Sequence, residues 1–260
     1  MADLYVRYEH EGQTSFGQLQ GNEIHELTGD LFGDRSLSGK TVALDDVRLR
    51  YPVEAEKVLA VGLNYASHLG SRPAPKNVEI FYKPPTTLQD PGGPIEMPPD
   101  SRDVHYEAEF VIVMSKRATG VSVEAAPDYI LGYTCGNDVS ERQWQNGSLD
   151  GPETKDTQWW RGKGCDTFGP MGPAIAVGLD WEKSRIELRL NGEVRQSQLV
   201  SDLVFGPYEI VSFVSQHVTL EQGDVIFTGT PGSTKPMKDG DSVEVEITGI
   251  GVLRNPVVQT

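Results

Sequence analysis

The sequence predicts a mainly β fold with short helices, split into a small N-terminal domain (residues 1–55) and a larger one (residues 56–260). Three observations carry that expectation. Short β-branched and aromatic runs dominate, 28 glycines and 17 prolines interrupt them at turn spacing, and helical periodicity is confined to brief stretches. Leu4-Tyr-Val-Arg-Tyr8 alternates like a half-buried strand, and Ser15-Phe-Gly-Gln-Leu19 offers it a partner. After Asp45-Asp-Val-Arg-Leu49 and Pro52 the character changes, which places the boundary near residue 55. Lys57-Val-Leu-Ala-Val-Gly62 and Phe110-Val-Ile-Val-Met114 are continuous apolar runs suited to strands covered on both faces. Ser122 is positioned to cap a short helix through Ala126, and Tyr129 through Cys135 is a further strand. Ile186-Glu-Leu-Arg-Leu190, Asn191-Gly192 and Glu193-Val194 spell a tight hairpin, because Asn and Gly tolerate positive φ. Tyr208 through His217 follows Pro207 and carries Ile210, Val211, Phe213 and Val214 on one helical face. Val243-Glu-Val-Glu-Ile247 closes the series as another alternating strand.

Charge and composition exclude several classes. The 260 residues carry 38 acidic and 23 basic side chains, a net charge of −15. No basic stripe exists to neutralise phosphates, so no nucleic acid partner is expected. No run reaches the roughly 18 apolar residues of a membrane span, and no basic start precedes an apolar run and cleavage site. A cytoplasmic protein without a membrane partner is expected. Two cysteines, Cys135 and Cys165, cannot frame a disulfide scaffold or a zinc ribbon and are read as buried thiols.

The chemistry concentrates in His105-Tyr-Glu107-Ala-Glu109, which leads into the apolar run from Phe110. In a strand, residues i and i+2 share a face, with their carboxylates about 7 Å apart along the backbone. Two like charges held toward an interior are costly without a cation between them. A third acid, Asp138, ends the apolar run from Tyr129. If the two runs are neighbours, Glu107, Glu109 and Asp138 form one cluster. Carboxylate-only ligation suits Mg²⁺, Mn²⁺ or Ca²⁺ and disfavours zinc.

These residues resemble the fumarylacetoacetate hydrolase family over roughly residues 57–257. The motifs occur in order: Val61-Gly-Leu-Asn-Tyr65 with His68, Phe81-Tyr-Lys-Pro84, Tyr106-Glu-Ala-Glu109 and Asn137-Asp-Val-Ser140. Arg161-Gly-Lys-Gly164 leading to Phe168-Gly-Pro170, Thr228-Gly-Thr-Pro-Gly232 and Gly249-Ile-Gly-Val-Leu-Arg-Asn255 complete the set. The resemblance implies a mixed β-sandwich roll and a homodimer that binds Mg²⁺, or Mn²⁺ or Ca²⁺. It places the metal ligands on Glu107, Glu109 and Asp138, and the catalytic residues on Lys163, Arg142 and His68. It implies substrate contacts from Gln145, Thr230, Lys83 and Tyr65. The two glycines beside Lys163 are expected to let the backbone pass close to a ligand. Hydrolytic members carry a glutamate three residues after the histidine; this chain has Ser71, and Glu79 is the nearest acid that could substitute.

The expected substrate is a small 2-oxo or 2,4-dioxo acid. The leading expectation is hydrolysis of a carbon–carbon bond, with His68 activating water and Lys163 and Arg142 stabilising the oxyanion. Decarboxylation or keto–enol isomerisation of a related acid needs no attacking water, and Ser71 keeps it open. A non-catalytic 2-oxo-acid-binding protein and lyase or dehydratase chemistry are the remaining alternatives. The polar insert 146–158, ahead of Trp159-Trp160, is read as a lid or a plain surface excursion.

Overall fold

A computed structural model describes residues 2–260. The N-terminal strands are β1 (Asp3–His10), β2 (Gln13–Gln20), β3 (Glu23–Leu27), β4 (Leu37–Ala43) and β5 (Arg48–Arg50). Next come β6 (Val58–Gly62), the short α1 (Ala66–Leu69), β7 (Glu79–Lys83), β8 (Leu88–Gln89), β9 (Ile95–Met97) and β10 (Val104–His105). The centre of the chain holds β11 (Ala108–Met114), β12 (Ile130–Asn137), β13 (Ser140–Glu141), α2 (Arg142–Asn146), α3 (Trp160–Gly164) and β14 (Gly169–Val177). The C-terminal part runs β15 (Arg185–Leu190), β16 (Glu193–Leu199), α4 (Pro207–Ser215), β17 (Val225–Phe227), β18 (Ser242–Ile247) and β19 (Gly251–Gln259). The fold is mainly β, as the turn-punctuated sequence predicts.

A large mixed sheet runs β4-β3-β2-β1-β14-β12-β11-β17-β6-β7, with β5 and β8 at its sides. A five-stranded sheet, β16-β15-β18-β19-β9, faces it, and β10 with β13 forms a two-stranded ribbon. The apolar runs explain the layering. On β11, Phe110, Ile112 and Met114 join the core shared with Ile186, Leu188, Val243, Val245 and Ile247 of the smaller sheet. Val111 and Val113 point the other way, into a second core with Val58, Ala60, Val225 and Phe227. Every residue of β11 is buried. A strand covered on both faces has no polar side to alternate, which is why it reads as a continuous apolar run.

Local expectations are largely met. Leu4 pairs with Leu19 and Tyr8 with Ser15. Asn191 and Gly192 adopt φ of 54° and 79° and close the β15–β16 hairpin. Helix α4 starts at Pro207, and Glu209 Oε2 accepts the Gly206 N–H at 2.8 Å. Ser122 does not start an α-helix. Its Oγ accepts the Ala125 N–H at 3.3 Å, and a short 3₁₀ segment then spans Ala126–Tyr129. Pro127 has no N–H with which to extend a helical turn. Cys135 is buried, but Cys165 is only half-buried, and burial pushes its thiol up to about 11. Among the described residues no helix is long and apolar enough to cross a membrane.

Gly136 lies opposite Glu109 in the β11–β12 ladder. A Cβ there would stand 2.5 Å from Phe227 Cε1 and 2.5 Å from Val111 Cγ2, both in the second core. Gly136→Ala is expected to cost about 1–3 kcal/mol through overpacking, read as a lowered urea midpoint with an unchanged slope.

Candidate active site

The β11–β12 ladder brings the three acids together. Ala108 pairs with Asn137, so Glu107 and Asp138 flank the open end of the pair, and Glu109 is the second residue of β11. The backbone locks this end twice: Asp138 N–H donates to Glu107 O at 2.9 Å, and Glu107 N–H donates to Asn137 Oδ1 at 2.8 Å. One carboxylate oxygen from each acid lies within 4.8 Å of the others, and all three residues are buried.

Three cations surround this cluster. Lys163 Nζ donates to Glu107 Oε2 at 2.5 Å and also to Asp138 Oδ2. Lys83 Nζ donates to Asp138 Oδ1 at 2.7 Å and to the backbone carbonyl of Lys163. Arg142 pairs with Glu107 and donates to Thr234 Oγ1 at 3.0 Å and Gln145 Oε1 at 2.5 Å. Arg142 and Gln145 sit one turn apart on α2, the spacing read in the sequence. Glu141 caps that helix by accepting the Trp144 N–H at 2.6 Å.

The charges sort the acids into two kinds. Burial alone would raise the Glu107 pKa, but Arg142 and Lys163 override it and hold the carboxyl well below its usual range. Glu109 goes the other way. Burial, then the charges of Asp138 and Glu107, raise it well above the ordinary value, and its carboxylate accepts one protein donor, the Gly229 N–H at 2.7 Å. For Lys163, burial opposes the charged form, but Asp138 and Glu107 outweigh it and raise the pKa. Burial lowers the Lys83 pKa, with Asp138 opposing. Oxygen-only donors, a short spacing and a desolvated Glu109 with few partners fit a hard dication of the Mg²⁺, Mn²⁺ or Ca²⁺ kind.

The cluster forms the floor of a cleft of ≈ 160 Å³ that His68, Arg142, Gln145, Lys163 and Thr230 help to line. Two expected substrate contacts adjoin the acid cluster but do not line the cleft. Lys83 is fully enclosed, and its ammonium is spent on Asp138 and the Lys163 carbonyl, so it braces the cluster from behind. Tyr65 is buried beside the isolated bridge to Leu203, and its hydroxyl meets no partner among the described residues. The glycines around Lys163 also serve a different purpose from the one expected. A Cβ at Gly162 would approach the Gln145 backbone N to 2.9 Å, and one at Gly164 would approach Pro84 Cδ to 3.1 Å. They let α3 pack against protein rather than against a ligand.

His68 lies on α1 with Nδ1 2.6 Å from the Gly232 carbonyl oxygen. A carbonyl only accepts, so Nδ1 carries the proton and, in the neutral ring, Nε2 is the basic nitrogen. Burial lowers the His68 pKa; Glu107 and the Gly232 carbonyl oppose this, while Arg142 and Lys163 reinforce it. Glu79 does not orient the ring: it is exposed on β7, paired across to Gly62. Residues to which the sequence reading gave no site role complete the rim. Phe81 and Trp159 make an edge-to-face wall with ring centroids 5.3 Å apart, and Trp159 holds a positive φ of 57°. His105 is tied to Asp103 at 2.9 Å and Thr234 at 2.8 Å, outside the acid cluster. The insert 146–158 is pinned to α2: Gln143 Oε1 accepts from Leu149 N–H at 2.7 Å and Asp150 N–H at 2.9 Å.

Comparison with known proteins agrees with this architecture. Residues 57–258 match the family described as fumarylacetoacetate (FAA) hydrolase, C-terminal, and residues 4–52 match the Rv2993c-like N-terminal family. The chain is 42% identical to Protein Rv2993c of Mycobacterium tuberculosis, over 94% of this chain and 91% of that protein. It superposes on the crystal structure of a 5-carboxymethyl-2-hydroxymuconate delta-isomerase from Mycobacterium smegmatis with a TM-score of 0.91 and 39% identity, covering 99% and 100% of the two chains. It is 39% identical to the mitochondrial oxaloacetate tautomerase FAHD2A of Bos taurus, over 78% of this chain and 67% of that one.

The raised pKa of Glu109 has a measurable consequence. The folded chain holds this proton more tightly than the unfolded chain, so the group's contribution to stability is lost as pH rises through the folded pKa. A dication takes the ionised form. Mg²⁺ binding is therefore expected to release protons, and its affinity to strengthen as pH rises. Calorimetry in buffers of different ionisation enthalpy measures both effects, and Glu109→Gln should abolish the proton release.

Proposed function

The chain belongs to the fumarylacetoacetate hydrolase family, and on that premise we propose that it is a divalent-metal-dependent enzyme of small 2-oxo dicarboxylic acids. Its reaction is movement of a proton between carbon and oxygen, keto–enol tautomerisation or the related double-bond isomerisation. The observation that carries this reading is the setting of His68: its Nδ1 bonds the Gly232 carbonyl, and no carboxylate bonds the ring among the described residues.

A carboxylate partner would favour the imidazolium that forms when histidine takes a proton from water. Here no carboxylate bonds the ring among the described residues; burial is the largest influence and disfavours the imidazolium, with Arg142 and Lys163 reinforcing it and Glu107 only partly opposing. The proton next to the keto group of a 2-oxo acid is far more acidic than water's, so a weak, neutral base suffices. The similarity to the tautomerase and the isomerase supports the same reading.

Glu107, Glu109 and Asp138 are the residues that would hold the ion. A bound Mg²⁺ or Mn²⁺ supplies Lewis acidity toward the carboxylate and keto oxygens of the substrate. Arg142 and Gln145 bind and orient a carboxylate. The Lys163 ammonium stabilises negative charge developing on the substrate oxygen. His68 Nε2 accepts the carbon-bound proton and returns it. Phe81 and Trp159 keep water from one side of the cleft. Family resemblance adds a homodimer to the proposal, and composition adds a cytoplasmic location.

Hydrolysis of a 2,4-dioxo acid is the second reading, favoured by the convergence of Lys163 and Arg142 on Glu107, where both could face an oxyanion. Isotopes separate the two. With Mg²⁺ and oxaloacetate in deuterated water, tautomerisation predicts faster loss of the enol absorbance and deuterium at C3. With acylpyruvates in ¹⁸O-water, it predicts no label in a carboxylate product. Glu107→Ala or Asp138→Ala should lower turnover by about 10³-fold or more. His68→Ala should cost less, about 10²-fold. Full activity in chelator-treated protein would sink the scheme.

A further inference from the structure

β16 is an edge strand of the five-stranded sheet, and Gln196 is its one buried residue, only 4% exposed. The β15–β16 ladder pairs Leu188 with Gln196 but Arg189 with Val194, so Arg195 is an extra residue in the strand. Such a bulge re-aims the side chains around it. Here the Gln196 amide reaches away from its own sheet to the cleft wall. Its Oε1 accepts the Ala108 N–H at 3.0 Å, while Nε2 donates to Pro231 O at 2.5 Å and to Thr230 Oγ1 at 2.9 Å.

The direction of these bonds follows from their partners. A backbone N–H can only donate and a carbonyl can only accept, so the amide has one orientation. Both Nε2 protons are then used, and an amide nitrogen does not accept. Thr230 Oγ1 thus receives a proton from Gln196 and cannot direct its own back. That hydroxyl has no acceptor among the described residues, and Thr230 lines the cleft beside Glu109 and Lys163.

We propose that Gln196 is a positioning residue that presets the Thr230 hydroxyl as a hydrogen-bond donor into the cleft, selecting ligands that present a carboxylate or carbonyl oxygen there. The inference rests on the reading of this cleft as a 2-oxo-acid site and adds to it the element that fixes one of its donors. A donor oriented before the ligand arrives needs no reorganisation when charge develops on that oxygen. The same amide holds Ala108, between Glu107 and Glu109, to the loop carrying Thr230, so it also sets the distance from the acid cluster to the donor.

Oxalate binding to the full chain with Mg²⁺, followed by calorimetry, tests this without requiring turnover. Gln196→Met and Thr230→Val are each expected to weaken oxalate about fivefold, the worth of one ordinary hydrogen bond. The double variant should bind no more weakly than Thr230→Val alone, and Thr230→Ser should bind like the wild type. Gln196→Glu keeps the acceptor for Ala108 but presents an acceptor to Thr230. It too should weaken oxalate, with most of that loss erased on the Thr230→Val background, and it serves where the Met variant does not fold. Additive losses, Gln196 variants that bind normally, or a Thr230→Ser variant as weak as Thr230→Val would overturn the inference alone. A wild-type chain that binds no oxalate would overturn the proposed function and this inference with it.

Discussion

Three carboxylates with ligand atoms within 4.8 Å of one another inside a protein set the terms for everything around them. At an effective dielectric near 20, two full charges at that distance repel by roughly 3 kcal/mol. The chain meets this in two ways. Lys83, Lys163 and Arg142 pair with Glu107 and Asp138, and Glu109, which has no salt bridge among the described residues, has its pKa driven up by burial and by the other two acids. The cluster is balanced around two acids and strained at the third. A dication held there would relieve that strain, because it would reward ionisation of all three.

The fold supplies the rigidity such an arrangement requires. β11 is covered on both faces, so the acids at its start inherit a fixed position from two separate cores. β12 runs beside it, and Gly136 permits the close approach of Phe227 and Val111 at the level of Glu109. Lys163 is delivered by α3, held against α2 because Gly162 has no Cβ to meet Gln145. Backbone packing, more than the side chains' own bonds, fixes where the charges lie.

How much of this is legible in the sequence follows from the range of each interaction. Glu107 and Glu109 precede an apolar run and Asp138 ends one, so pattern alone suggests their meeting. Arg142 and Gln145 share a helical turn, and Asn191-Gly192 writes its own hairpin. Lys83 is different. Its motif suggests a substrate contact, but its ammonium meets Asp138, 55 residues away in sequence. The partner of His68 is a backbone carbonyl, Gly232, which no residue-type pattern can announce. Gln196 reads as an ordinary polar residue on an exposed strand, and only the bulge at Arg195 and the contact with another sheet give it a role. Ser122 fails for a local reason: Ala126 N–H closes one α-turn onto Ser122 O at 3.0 Å, and Pro127, with no N–H, cannot add the next.

The division between floor and rim bears on how one centre could serve several reactions. On the function proposed above, an oxygen-only cluster beside Arg142 and Lys163 would favour a 2-oxo acid and chemistry that passes through a carbanion next to the keto group. Tautomerisation, decarboxylation and carbon–carbon hydrolysis all share that requirement. What separates them is whether a base near the cluster can also deprotonate water, and whether water can reach it. Both are properties of the rim. His68 is bonded to a carbonyl, Ser71 and Glu79 are exposed and make no hydrogen bond to its ring among the described residues, and Phe81 with Trp159 closes one side. An imidazole with a carbonyl partner can relay a proton in either direction at little cost, whereas one with a carboxylate partner is biased toward keeping it. Reversible proton transfer between carbon and oxygen, the reaction proposed for this chain, needs the first kind of base.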